Sequence, residues 1–176
     1  MKQTLQNILI TTALFLNAVF FFGCTSTMVS IPDASHDQKP VITVHSVTSG
    51  PGKVSPHEVS VTTGKPVGVT EKTNVMIIVD ATNMGGVKHL SIVGHLGGTK
   101  LWEAKIEASP NAQNLVPRTL TIIGHNGLGG IGSQPLIIGF GNLYETGYVI
   151  ANAVNFNGQS QDLQVNYEVL PLALIP

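Results

Sequence analysis

Charge is scarce in this chain: 176 residues hold nine basic and ten acidic side chains. After Cys24 the balance is eight against ten, a net of about −2. No basic stripe exists to follow nucleic-acid phosphates, so nucleic acid is excluded as a partner. Aromatics are few as well. Ten occur, and four of them (Phe15, Phe20, Phe21 and Phe22) fall within the first 22 residues. That leaves little for an aromatic sugar-binding platform, with Trp102 the one natural candidate. The single cysteine, Cys24, has no partner for an internal disulfide. Long amphipathic helical stripes are missing, and so are HExxH, HxH, CxxC and GxSxG.

What is present begins with an apolar run. Lys2 is the only charge before Asp33, and Ile8 to Phe22 is mostly apolar. Those 15 residues cover roughly 22 Å as a helix. A bilayer core is about 30 Å thick, so the run is short for a permanent span. A basic start, a short apolar middle and a small residue at the end describe a secretory signal. The other reading is a buried or anchoring helix with an incidental cysteine. The flanks weigh against it, because Thr25-Ser26-Thr27 and Ile31 to Asp37 are polar and tether-like.

Phe21-Phe22-Gly23-Cys24 resembles the lipobox of bacterial lipoproteins. The resemblance implies cleavage between Gly23 and Cys24 and acylation of the cysteine thiol. The membrane lipid is then the first partner, through acylated Cys24, since two or more acyl chains give stable anchoring. It also implies a place in the cell envelope, and in the outer membrane if the host is Gram-negative, where Thr25 is compatible with that sorting. The expected organisation is a signal peptide at 1–23, a flexible tether at 24–40 and one folded domain at 41–176.

The domain reads as all-β. Nineteen glycines and ten prolines punctuate short runs rich in Val and Ile. The expected strands are Val41–Val47, His57–Thr63, Asn74–Thr82, Val87–Leu96, Arg118–Gly124, Pro135–Phe140, Tyr148–Phe156 and Asp162–Leu170. Lys100–Ala108 fits two turns of helix or a strand, and the strand is preferred. It puts Trp102, Ala104, Ile106 and Ala108 on one face and Glu103, Lys105 and Glu107 on the other. Ser109–Pro117 reads as a loop. Nine short strands at this spacing predict an antiparallel sandwich.

The closing segment, Thr146 to Asn155, then Gly158, then Leu163 to Val169, resembles the end of bacterial immunoglobulin-like domains. Asp80-Ala81-Thr82-Asn83 before Gly86-Val87-Lys88 resembles their second-to-third strand corner. The resemblance implies an immunoglobulin-like sandwich, with Tyr148 as the tyrosine whose hydroxyl bonds back to the backbone.

Candidate chemistry is thin. Ser91-Ile92-Val93-Gly94-His95 echoes Thr121-Ile122-Ile123-Gly124-His125 thirty residues later, read as two strands ending in similar turns. His95 and His125 can meet only if their strands are neighbours. Gly127 to Gly132 matches GxGxxG, but Pro135 follows and no βαβ unit surrounds it. No cofactor or metal is expected, and no catalytic residue can be assigned. The expected role is a non-catalytic binding or scaffolding module with a protein partner in the envelope. Its candidate contacts are His125, Asn126, Gly127, Gly129 and Gly130, with the loop Ser109–Pro117. The alternatives are a carbohydrate-binding lipoprotein and a hydrolase whose site is assembled from distant loops.

Overall fold

Strict alternation of apolar and polar side chains shapes the long strands. The computed structural model describes residues 28–30, 38–49, 57–59, 64–123 and 136–171. Six strands of nine or ten residues dominate: β2 (Val41–Ser49), β5 (Thr73–Thr82), β6 (Val87–Leu96), β7 (Thr99–Glu107), β11 (Thr146–Asn155) and β12 (Ser160–Val169). Shorter elements are β1 (Met28–Ser30), β3 (His57–Val59), β4 (Val67–Val69), β8 (Leu115–Pro117), β9 (Thr119–Ile123) and β10 (Ile137–Phe140). In β5 the residues Val75, Ile77, Val79 and Ala81 are fully buried, while Asn74, Met76, Ile78 and Asp80 point away from the core. A period of two does this, because successive side chains leave opposite faces of a strand.

Two sheets result. One is ordered β10-β5-β2-β3, with β9 also on β5; the other is β4-β12-β11-β6-β7. Pairing is antiparallel except for β4, which joins β12 in parallel. The order of the second sheet is like that of the third, sixth and seventh strands of an immunoglobulin fold with one further strand at each edge. The first sheet pairs the second strand with the fifth. The architecture is therefore an all-β, mainly antiparallel β-sandwich. Its core joins Val44, Val75, Ile77, Val79, Leu90, Ile92, Ile138, Phe140, Val149, Val165 and Tyr167 from both inner faces. Each fully buried branched side chain contributes about 1.5–3 kcal/mol.

The fifth strand is interrupted. β9 pairs with Ile78–Thr82 and β10 with Thr73–Met76, along the same edge of β5 and in the same direction. Only Ile77 lies between, and its amide donates to Leu136 O at 3.0 Å. The chain thus leaves this sheet edge after Ile123 and rejoins the same edge at Leu136.

Thr99–Glu107 settles the ambiguous segment as a strand, with Trp102, Ala104 and Ile106 turned to the core as the alternation predicts. Three strands fall outside the expected set. β4 follows the Gly64-Lys65-Pro66 break, β8 lies inside the expected loop 109–117, and β1 lies inside the expected tether. All three are three residues long, too short to display a period. β1 corrects the tether most: Met28, Val29 and Ser30 pair with Pro117, Val116 and Leu115. β1, the first described strand, starts four residues after Cys24.

One polar bond crosses the core. Tyr167 on β12 and Ser46 on β2, both buried, share a hydrogen bond of 2.6 Å between their hydroxyls. Burial pushes the Tyr167 phenol up to about 12, against the opposing pull of the Ser46 bond. Between pH 10 and 12 the unfolded phenol loses its proton and the folded one keeps it. The native state binds more protons there, so stability falls as pH rises. Tyr167's share of that loss is roughly 2–3 kcal/mol by about pH 12. Tyr167→Phe should cost about 1–2 kcal/mol at neutral pH by orphaning Ser46. Its alkaline stability limb should also be shallower than that of the parent in urea titrations across this range.

Candidate binding surfaces

The end of the sandwich where β1 enters is the most elaborately built. β1 runs antiparallel to β8, so Met28, on the Cys24 side, lies opposite Pro117, next to Arg118. Asn83, just past β5, orders the neighbouring turn. Its side-chain oxygen accepts the Gly85 amide at 2.9 Å, and its backbone amide donates to Arg118 O. Asn83 Nδ2 donates to Gln38 O at 2.7 Å, and Asn155 Nδ2 donates to the same oxygen at 2.8 Å. Asn83 follows a strand of one sheet and Asn155 ends a strand of the other. One backbone carbonyl thus ties both sheets to the start of β2. Gly86 permits the approach of β8. Its φ is +90°, and a Cβ there would lie 2.4 Å from Val116 Cγ2.

These elements frame an open cleft of about 330 Å³ lined by Lys39, Val41, Asn83, Met84, Arg118 and Thr119, among others. Val41 and Met84 are 64% and 60% exposed. Arg118 Nε is shielded from water yet has no hydrogen-bond partner.

The outer face of the second sheet is a different surface. His89, Ser91, Val93 and His95 of β6 and Tyr148, Ile150, Asn152 and Val154 of β11 form its centre. Lys100, Glu103, Lys105 and Glu107 border it on β7, and Asp162, Gln164 and Asn166 on β12. The Lys100 ammonium donates a hydrogen bond to Glu103 and holds its carboxyl below the usual carboxylate range. Tyr148 lies on this outer face, its ring stacked on His95 with centroids 4.4 Å apart. The expected backbone-bonding role is not the one this ring plays; the tyrosine that locks the core is Tyr167, one strand later.

On the outer face of the first sheet, Thr121 donates to Asp80, whose other carboxylate oxygen is 3.5 Å from His45 Nε2. Acyl transfer needs the imidazole between carboxylate and nucleophile. Here the carboxylate stands between imidazole and hydroxyl, so His45 is not placed to take the Thr121 proton.

Gly23 and Cys24 lie outside the described residues, as do His125, Asn126, Gly127, Gly129 and Gly130. The strands that carry the two echoed segments, β6 and β9, belong to different sheets, so the echo does not place His95 and His125 on neighbouring strands. Among the described residues no three His, Cys, Asp or Glu side chains gather as a metal site would require. The loop 109–117 is a tight turn. Asn111 Oδ1 accepts the amides of Gln113 and Leu115, and Asn114 adopts a φ of +58°. Lys39, Met84 and Arg118 carry no sequence signal of a site, since they share no motif and meet only through topology. Comparison with models of known protein families and with curated protein sequences finds no match.

Trp102 is packed inward. Its indole N–H donates to Ile137 O at 2.8 Å, and the ring lies over Gly94, where a Cβ would sit 2.4 Å from Trp102 Cζ2. Gly94→Ala should displace the ring, shift the emission of this single tryptophan to the red, and cost about 1–3 kcal/mol in chemical denaturation.

Proposed function

We propose that this chain is a lipid-anchored protein of the cell envelope, held by acylated Cys24, with a sandwich that binds or scaffolds a protein partner and turns over no substrate. The observation that carries the reading is the closeness of anchor and fold. The Phe21-Phe22-Gly23-Cys24 motif is followed, after only three residues, by a strand stitched to β8. A buried helix spanning this cysteine would leave little chain to reach that strand.

The surface best suited to a protein partner is the outer face of the second sheet. Its middle mixes apolar Val93, Ile150 and Val154 with polar Ser91, Asn152 and His89, inside a charged and amide-bearing rim, a composition suited to a non-obligate protein interface. Two features weigh against the alternatives. Trp102, the natural sugar platform, gives its ring to the core and its N–H to Ile137. Thr121, Asp80 and His45 stand in the wrong order for hydrolysis. The outer membrane is the proposed destination if the host is Gram-negative.

Detergent phase partition with N-terminal mass spectrometry tests the anchor. The expressed chain should enter the detergent phase, begin at Cys24 and carry the mass of attached acyl groups. Cys24→Ser should keep residues 1–23 and gain no lipid mass. A chain that retains residues 1–23 and no lipid with Cys24 intact overturns the reading.

A further inference from the structure

We propose that the cleft between Lys39, Met84 and Arg118 is a membrane contact, seated on the headgroups of anionic phospholipid in the bilayer that holds Cys24. The inference rests on the lipid-anchor reading and deepens it by orienting the sandwich.

Chain length sets the first constraint. Cys24 and Met28 are four residues apart, and a fully extended chain covers at most about 3.6 Å per residue, roughly 14 Å here. The register sets the second. β1 begins opposite Pro117, so the chain from the anchor arrives beside Arg118 rather than at the Leu115 end. The cleft end of the sandwich is therefore the end drawn to the bilayer.

The side chains at that end suit such a surface. Met28, Val41 and Met84 are three of the seven large hydrophobic side chains exposed among the described residues, at 43%, 64% and 60%. Lys39 and Arg118 line the cleft between them. Arg118 lines the cleft with its Nε shielded, so its terminal guanidinium nitrogens are the donors left for a ligand there. Phosphate oxygens accept from those nitrogens, and guanidinium pairs with phosphate in a fixed fork geometry. Asp37, next to Gln38 in the chain, tempers the positive charge. The contact is weak by itself and forms because the anchor supplies a high effective concentration.

The test uses the mature acylated protein in vesicles of phosphatidylcholine, alone or mixed with phosphatidylglycerol. With Cys24 acylated, an introduced cysteine is the only free thiol. Met84→Cys and Thr99→Cys, just beyond opposite ends of β6, each carry an environment-sensitive dye, and quenching by lipid-borne bromine is read. The expected result is strong quenching at position 84 in the mixed vesicles and little at position 99. Lys39→Gln and Arg118→Gln should each weaken the contact roughly five-fold. Lys39 is a surface side chain, so its variant tests the idea even if Arg118→Gln is poorly folded. Equal quenching at the two positions, in protein that floats with the vesicles, overturns the contact alone. So does quenching at 84 that ignores both anionic lipid and Lys39→Gln. Protein that does not float overturns the anchor and the contact together.

Discussion

A single cysteine rules out an internal disulfide, and a buried hydroxyl pair instead bonds the two main sheets to each other, on strands other than the second and sixth that the antibody disulfide links. The Tyr167–Ser46 bond crosses from β12 to β2 on one side of the core. On the other side the Trp102 indole crosses from β7 to β10. At the end, Asn83 and Asn155 reach one carbonyl from opposite sheets. Apolar burial supplies most of the stability, but it is non-directional and tolerates sliding. The three polar ties are directional, and each sits at a margin where sliding would begin. Breaking one leaves a shielded group unpaired, which costs more than the bond itself contributes.

The same ties govern how the chain is presented. Gln38 O fixes the start of β2 against both sheets, and β8 fixes β1 a short distance away. First strand and cleft are thereby held in one relation to the core. The outer face of the second sheet, with its stacked His95 and Tyr148, runs alongside that axis and not across it. On the proposed anchoring at Cys24, this build would hold the module close to the membrane and turn that flank to the aqueous side.

Long strands are legible in the sequence because a period of two sustained over eight or more residues fits neither a helix nor a loop. The expected Val87–Leu96 coincides with β6, and the expected limits of β5, β7, β11 and β12 lie within two residues of those observed. The tightest packing is not legible. Gly94 falls inside the expected strand, but nothing in the sequence shows that Trp102 occupies the space of its missing side chain. Tyr148 and Tyr167 both lie in alternating strands, and parity relative to the core, set by the partner sheet, decides which is buried. The three-residue strands carry no period at all. The cleft depends on residues 79 positions apart, from Lys39 to Arg118, that only the completed fold brings together. The continuity of β9 and β10 is equally hidden, because it is a property of what β5 pairs with.

Charge, scarce along the chain, is concentrated on one strand. β7 holds Lys100, Glu103, Lys105 and Glu107 within nine residues, and it is the outermost strand of its sheet. An outermost strand has unpaired backbone groups that invite a neighbouring molecule to extend the sheet. Lysines and glutamates along that border oppose such pairing, acting as gatekeepers against fibre-like assembly. The point matters most for a molecule confined to a surface, where neighbours are crowded and similarly oriented. Four of the nineteen ionic side chains in this sequence thus lie where self-association through this edge would start.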